Sequence, residues 1–220
     1  NAEPAALEQE RQIEVPEPPQ EKEWTYPSKI PQGLAIVVWK TPGLRNRVPE
    51  FRRLNILSSI LGDRMREEIR EKLGASYSPN AGARGSDGLE GVGYLIGQSA
   101  GKPDELPILV ETMLKEAASL ASEGASADEL DRALKPQLGM LEESARDNSY
   151  WLETVLSQSQ SDPEKITLAR QRDEDYRNIT LSEINELAAR YLAKENALKI
   201  QMRAVAPKIS TEKTEEQPED

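Results

Sequence analysis

Between Pro49 and Leu73, the apolar residues Leu54, Leu57, Leu61, Met65, Ile69 and Leu73 recur at spacings of three and four. That recurrence places them on one face of a single long amphipathic helix, which must lie against a broad apolar surface. Pro49 suits the first turn of such a helix. Gly74 suits the position after its end, where a left-handed backbone is needed. The partner surface is also readable. Leu34-Ala35-Ile36-Val37-Val38-Trp39 is a short, nearly unbroken apolar run, bracketed by Pro31-Gln32-Gly33 and Thr41-Pro42-Gly43, as expected of a buried strand between turns.

The rest of the chain extends this pattern. Residues 75–84 and 89–99 read as two strands joined by a hairpin turn at Gly85-Ser86-Asp87-Gly88. Gly82, Gly85, Gly88 and Gly91 recur every third residue. A phosphate-cradling loop would need a helix N-terminus directly after it, and a strand follows instead. From Pro103 onward the periodicity is helical. One helix spans 103–123 and stops at Gly124. A capping box at Ser126-Ala127-Asp128-Glu129 opens a second, expected to run to Gln158 with a kink or break at Pro136. Asp162-Pro163 opens a third, and the capping box Thr180-Leu181-Ser182-Glu183 opens a fourth, ending near Leu192. The last strand is Ala197–Val205, with Leu198, Ile200, Met202 and Ala204 expected to alternate inward. This order predicts an α+β fold, a mainly antiparallel sheet with several helices on one face.

Charge sets the expected boundaries. The whole chain carries −11. Residues 1–30 hold seven Glu against three basic residues, and residues 208–220 hold five acids against two lysines. Residues 1–27, rich in Pro and Glu, read as a flexible linker whose end Trp24 and Tyr26 could pin to the domain. Residues 28–207 read as the folded domain and 208–220 as a disordered acidic tail. No basic patch suggests nucleic acid as a partner. No apolar run approaches the roughly 18 residues that span a bilayer.

Two absences narrow the chemistry. The 220 residues include no histidine and no cysteine. Imidazole and thiolate metal sites are excluded, as is a Ser–His–Asp triad. Ser76 and Ser78 have no base to activate them.

The segment Arg64-Met65-Arg66-Glu67-Glu68-Ile69-Arg70-Glu71-Lys72-Leu73-Gly74-Ala75-Ser76-Tyr77-Ser78 resembles the second half of pitrilysin/insulinase-family zinc peptidases, of the bacterial zinc-protease type. There a helix ends in Arg-Glu-x-x-Gly-x-x-Tyr and leads into a strand. Asn148-Ser149-Tyr150-Trp151-Leu152 resembles the Asn-x-x-Trp-Leu of many bacterial members. Ile184, Leu187, Ala188, Tyr191 and Leu192 match the closing helix of the family. The order of elements agrees from about residue 33 to 207. The departure is complete at the zinc motif His-x-x-Glu-His, which a chain without histidine cannot contain.

The resemblance implies a metallohydrolase half-domain of the pitrilysin/processing-peptidase type. It implies the substrate-enclosing, non-zinc-binding half of a zinc endopeptidase, inactive alone. Zinc would sit in a partner, either the N-terminal half of the same protein or a separate catalytic subunit. An unfolded peptide would be the substrate, and the periplasm or cell envelope the setting. By motif position Arg70 would bind the peptide, and Tyr77 would bind it and donate to the oxyanion near the scissile bond. Other readings stand beside these. Arg70 could complement the helix dipole or pair with Glu67, and Tyr77 could be half-buried packing. Trp151 is read as packing. The chain could also be a structural or peptide-binding subunit of the same family, or an unrelated α+β interaction module.

With no imidazole or thiolate ligand, the chain is expected to bind zinc only weakly, through surface carboxylates. Titration calorimetry checks this, and a stoichiometric submicromolar site would refute it.

Overall fold

The structure is a computed structural model. It describes residues 17–18, 20–44, 46–74, 78–89, 91–157, 159–160 and 162–207, without the side chains of Lys72 and Leu73. The expected tail at 208–220 and the first sixteen residues of the expected linker lie outside this set.

The apolar run around Ile36 is strand β2 (Gly33–Thr41), and its burial alternates strictly. Ala35, Val37 and Trp39 are wholly buried, while the residues between them are only partly so. A five-stranded sheet forms around it in the order β1-β5-β2-β4-β3, with β1 (Gln20–Pro27), β3 (Asn80–Gly85), β4 (Gly93–Gly101) and β5 (Ala197–Val205). All neighbours pair antiparallel except β1 and β5, which are parallel. The end of the expected linker is therefore a strand: Gln20–Pro27 pairs with Leu198–Val205. Alternation of Lys22, Trp24 and Tyr26 with Glu21, Glu23 and Thr25 suits an edge position, where charged side chains are tolerated.

The hairpin between β3 and β4 forms as expected, with both strands shifted a few residues toward the C-terminus. One of its glycines is required by a close backbone approach. A Cβ at Gly93 would lie 2.0 Å from the Pro42 carbonyl oxygen, so the chain leaving β2 passes too close for any other residue.

The predicted long helix is α1 (Val48–Leu73). Leu54, Leu57, Leu61, Met65 and Ile69 are buried as the spacing requires, and so are Ile56 and Ile60. The helix is thus covered on two sides. One faces the sheet, and the other faces α2 (Leu106–Glu123), α3 (Ala127–Ser144) and α6 (Leu181–Tyr191). Both predicted capping boxes form. Ser126 accepts from the Glu129 amide and Thr180 from the Glu183 amide, and each Glu side chain reaches back to its cap residue. In the closing helix Ile184, Leu187 and Ala188 are buried, as is Leu192 just beyond it.

Three expectations change. The helix after Ser126 continues through Pro136 and stops at Ser144. Residues Tyr150–Leu156 then form a separate π-helical segment. Trp151, half-buried, donates its Nε1–H to the Ala145 carbonyl oxygen at 2.9 Å. That bond satisfies a carbonyl freed where α3 ends. The helix opened by Asp162-Pro163 is divided at Gln171 into α4 (Glu164–Arg170) and α5 (Arg172–Arg177). In β5 the expected alternation has the right period and the opposite side. Ala197 lies opposite Trp39 and Gln201 opposite Ala35, so these face the helices. Leu198, Ile200 and Met202 face away. Register fixes the side, and a shift of one residue inverts it.

The N-terminal end of α1 is tied to the later helices by ions. Arg52, almost fully buried, donates to Asp175 Oδ2 at 2.9 Å and to the Leu168 carbonyl oxygen at 2.7 Å. Arg53 donates to Asp175 Oδ1 at 2.9 Å and to Glu183 at 2.8 Å. Asp175→Ala strands Arg52 in a buried site with no countercharge. The expected loss is about 3–5 kcal/mol, read as a lower urea midpoint for unfolding.

Candidate functional site

The C-terminal end of α1 carries the residues of interest. Glu129 makes the α3 capping box and also receives two bonds from Arg64 of α1, at 2.6 Å from Nε and 3.1 Å from Nη2. Arg64 Nη2 also donates to the Gly124 carbonyl oxygen at 2.9 Å. One carboxylate therefore locks the third quarter of α1 to the α2–α3 junction. The Arg64 guanidinium, reinforced by the Ser126 amide and hydroxyl, holds the Glu129 carboxyl at about 2, well below its ordinary 4.5. This clasp was not read from the sequence, where Glu129 stood only as a capping residue. Nothing local pairs positions 65 residues apart.

Beyond the clasp, three charged residues of α1 have ion-pair partners. Arg66 pairs with Asp63 at 2.5 Å, Glu67 with Arg132 at 3.7 Å, and Glu68 with Lys115 at 2.7 Å. Arg70 differs. It lies in the last turn of α1 and is exposed. Its expected neighbour Glu67 points instead to Arg132, and the described residues offer the Arg70 guanidinium no hydrogen-bond or ion-pair partner.

The helix closes where the sequence placed its end. The Gly74 amide donates to the Arg70 carbonyl oxygen at 3.0 Å. Gly74 has φ 87° and ψ 176°, which is not the left-handed helical cap expected but a conformation essentially reserved for glycine. It ends α1 abruptly and redirects the chain. Pro79 is buried and β3 begins at Asn80. Tyr77, Ser76 and Ala75 lie outside the described residues. The structure thus places Arg70 on an exposed rim at the helix-to-strand turn.

An arginine so placed can offer several N–H donors to carbonyl or carboxylate oxygens. It cannot accept a proton from water at neutral pH. Among the described residues, no group of three or more acidic side chains converges on a point that could hold a metal ion. The donor set does not suit zinc, and no step through a metal is assigned to this chain.

The sequence model of the family described as the Peptidase M16 inactive domain matches residues 3–136. The chain belongs to that family. No curated protein matches it. Solved structures share the fold of this inactive domain at low identity. A protein of Alicyclobacillus acidocaldarius classed as an M16-like peptidase superimposes with a TM-score of 0.70 and 18% identity, over 84% of this chain and 44% of that one. The inactive peptidase domain of a Bordetella parapertussis protein classed as a zinc protease gives 0.66 and 20%, over 80% of this chain and 95% of that one. The periplasmic protease PqqL of Escherichia coli gives 0.63 and 18%, over 86% of this chain and 21% of that one. The chain thus spans under half of the Alicyclobacillus protein and about a fifth of PqqL.

The Arg64–Glu129 clasp has a pH signature. Because the folded state holds Glu129 at about 2, its contribution is complete above the ordinary carboxylate range, from about pH 5 upward. It is lost as pH falls from about 4.5 toward 2. Solvent partly screens the pair, so about 1–2 kcal/mol is expected. Glu129→Gln should lower the urea midpoint at pH 6 and flatten its decline between pH 5 and 3.

Proposed function

We propose that this inactive domain is the substrate-enclosing, non-zinc-binding half of a zinc-dependent endopeptidase, and that Arg70 and Tyr77 contact the bound peptide near the scissile bond. The observation that carries the proposal is the rim at the end of α1. In a chain of this family, Arg70 is exposed and unpartnered among the described residues, at the Gly74 turn that leads to Tyr77.

In this reading the roles follow from the donors. Guanidinium binds peptide carbonyl oxygens in both ground and transition states. A phenol hydroxyl aimed at the carbonyl under attack donates most strongly when that oxygen becomes an oxyanion. The general base and the metal-bound water belong to the partner, an N-terminal half or a separate catalytic subunit. Where the partner's zinc is bound, it polarises the carbonyl and activates water. The chain's own share is to hold an unfolded peptide against that site and to supply these two donors. A periplasmic or envelope setting is proposed with it, supported by the fold shared with periplasmic PqqL. None of the described helices is long and apolar enough to cross a membrane.

The test uses the enzyme assembled with its zinc-bearing partner. Tyr77→Phe should lower kcat by roughly ten- to a thousand-fold with little change in KM. Arg70→Ala should raise KM and lower kcat, since a carbonyl clamp acts in both states. Neither should shift the melting temperature of the domain. Normal kcat with a lowered melting temperature would make both residues structural. Normal values of both would favour a domain that encloses or binds peptide without these contacts.

A further inference from the structure

A sheet is open at its edge strands, and the two edges here differ. β1 is guarded: Glu21, Lys22 and Glu23 crowd it and Pro27 ends it, which discourages pairing with a further strand. β3 has no such guard. Its residues are Asn80-Ala81-Gly82-Ala83-Arg84-Gly85, with one charge and no proline. It packs under α1 and pairs with β4 on one side. No backbone–backbone hydrogen bond joins it to another element among the described residues. Its outward N–H and C=O groups therefore have no strand to receive them, the condition under which an extended peptide adds to a sheet.

Gly82 and Arg84 say what kind of strand fits. Glycine weakens a strand interior and often marks the close approach of another body. Gly82 does not use glycine's backbone freedom, since the described glycines with positive φ are Gly74, Gly91 and Gly124. Nor does its own chain crowd it. A Cβ at Gly85 would run into the Phe51 ring, whereas one at Gly82 meets only Arg84 Nη1, at an ordinary 3.6 Å. Ala81 touches Gly62 of α1, so Gly82 and Arg84 lie on the open face of the sheet, turned away from the helices. There Gly82 lies beside Ile96 of β4, which is only partly buried. The space above Gly82 lets an aromatic side chain on an added strand lean across toward Ile96, about 10 Å from that strand. Arg84 is exposed beside this space. One of its N–H groups donates to the Ala83 carbonyl oxygen at 3.0 Å, and it has no ion-pair partner among the described residues. β2, β3 and β4 contain no Asp or Glu, so an acidic side chain beside Arg84 meets no like charge from these strands. The edge also leads to the rim. Phe51 lies against Gly85 and Gly62 against Ala81, so α1 runs opposite to β3 and its Arg70 end lies past Asn80.

We propose that the outer edge of β3 takes an extended peptide as a further strand of the five-stranded sheet, with an acidic side chain beside Arg84 and, two residues away, an aromatic side chain over Gly82. This rests on the proposed peptide-holding role, and it adds which surface of the domain holds the peptide and which side chains that surface selects.

The test measures fluorescence polarisation of short labelled Ser/Thr peptides with the full chain. The peptides carry Asp and Phe two positions apart, in either order, since the added strand can run in either direction. Arg84→Glu should weaken binding by roughly three- to ten-fold and strengthen binding of the same peptide with Lys in place of Asp by a similar factor. That exchange includes a gain, which a misfolded variant cannot produce. Gly82→Val should weaken the Phe peptide several-fold and leave one with Ala in place of Phe unchanged. N-methylation of one alternating set of peptide amides should abolish binding, and of the other set should not, because an added strand pairs along one edge only. Absence of the charge exchange, or equal loss from both methylated sets, would overturn the proposal. The rim is judged separately in the assembled enzyme. A kcat loss in Tyr77→Phe without the charge exchange would overturn the β3 site alone. The charge exchange with normal kcat in Tyr77→Phe would support the β3 site and remove the Tyr77 contact.

Discussion

Burial of α1 on two sides is the constraint on which the domain depends. Leu54, Ile56, Leu57, Ile60, Leu61 and Met65 are at most 1% exposed, so this helix serves as the floor of the helical layer and the roof of the sheet together. Each large aliphatic side chain removed from water contributes roughly 1.5–3 kcal/mol. The cost is that α1 has little free surface around Ile56 to Leu61, and its ion pairs lie before that stretch and after it.

Arginine fixes α1 near its start and in its third quarter. Arg52 and Arg53 grip Asp175 and Glu183, and Arg64 grips Glu129. Arginine suits these sites because its planar fork satisfies a carboxylate and a backbone carbonyl at once, as Arg52 does with Asp175 and Leu168 and Arg64 does with Glu129 and Gly124. Both acids Glu129 and Glu183 are also capping residues. The same carboxylates therefore start helices and orient them. Arg70, in the last turn of α1 beyond the clasp, has no hydrogen-bond or ion-pair partner among the described residues.

The chain is acidic overall, yet its charge is sorted. Acids gather on the helical side and at the ends of the sequence, and the open face of the sheet keeps only cations among its strand residues. This sorting leaves two distinct surfaces: the exposed end of α1 that carries Arg70, and a sheet face whose strand charges are all positive. Guanidinium and phenol groups can orient and stabilise but cannot take a proton from water at neutral pH, which is why the proposed peptidase role leaves the activation of water to a partner.

The sequence by itself determined the period of most of the major elements. The spacing of Leu54, Leu57, Leu61, Met65 and Ile69 fixed α1, the two Ser/Thr-x-x-Glu boxes fixed where α3 and α6 begin, and Gly74 fixed where α1 ends. These are local effects, set by side-chain spacing within one or two turns. The lack of histidine and cysteine likewise excluded a family zinc motif. Only the tertiary structure decided which face each strand presents. Leu198, Ile200 and Met202 alternate as strand residues must, but alternation has no sign until register with β2 places Ala197 opposite Trp39. The strand at Gln20–Pro27 was hidden for the same reason. Its Glu, Lys and Pro content reads as linker, and its partner lies 178 residues away at Leu198–Val205. The Arg64–Glu129 clasp depends on helices meeting across the core, which no local periodicity encodes.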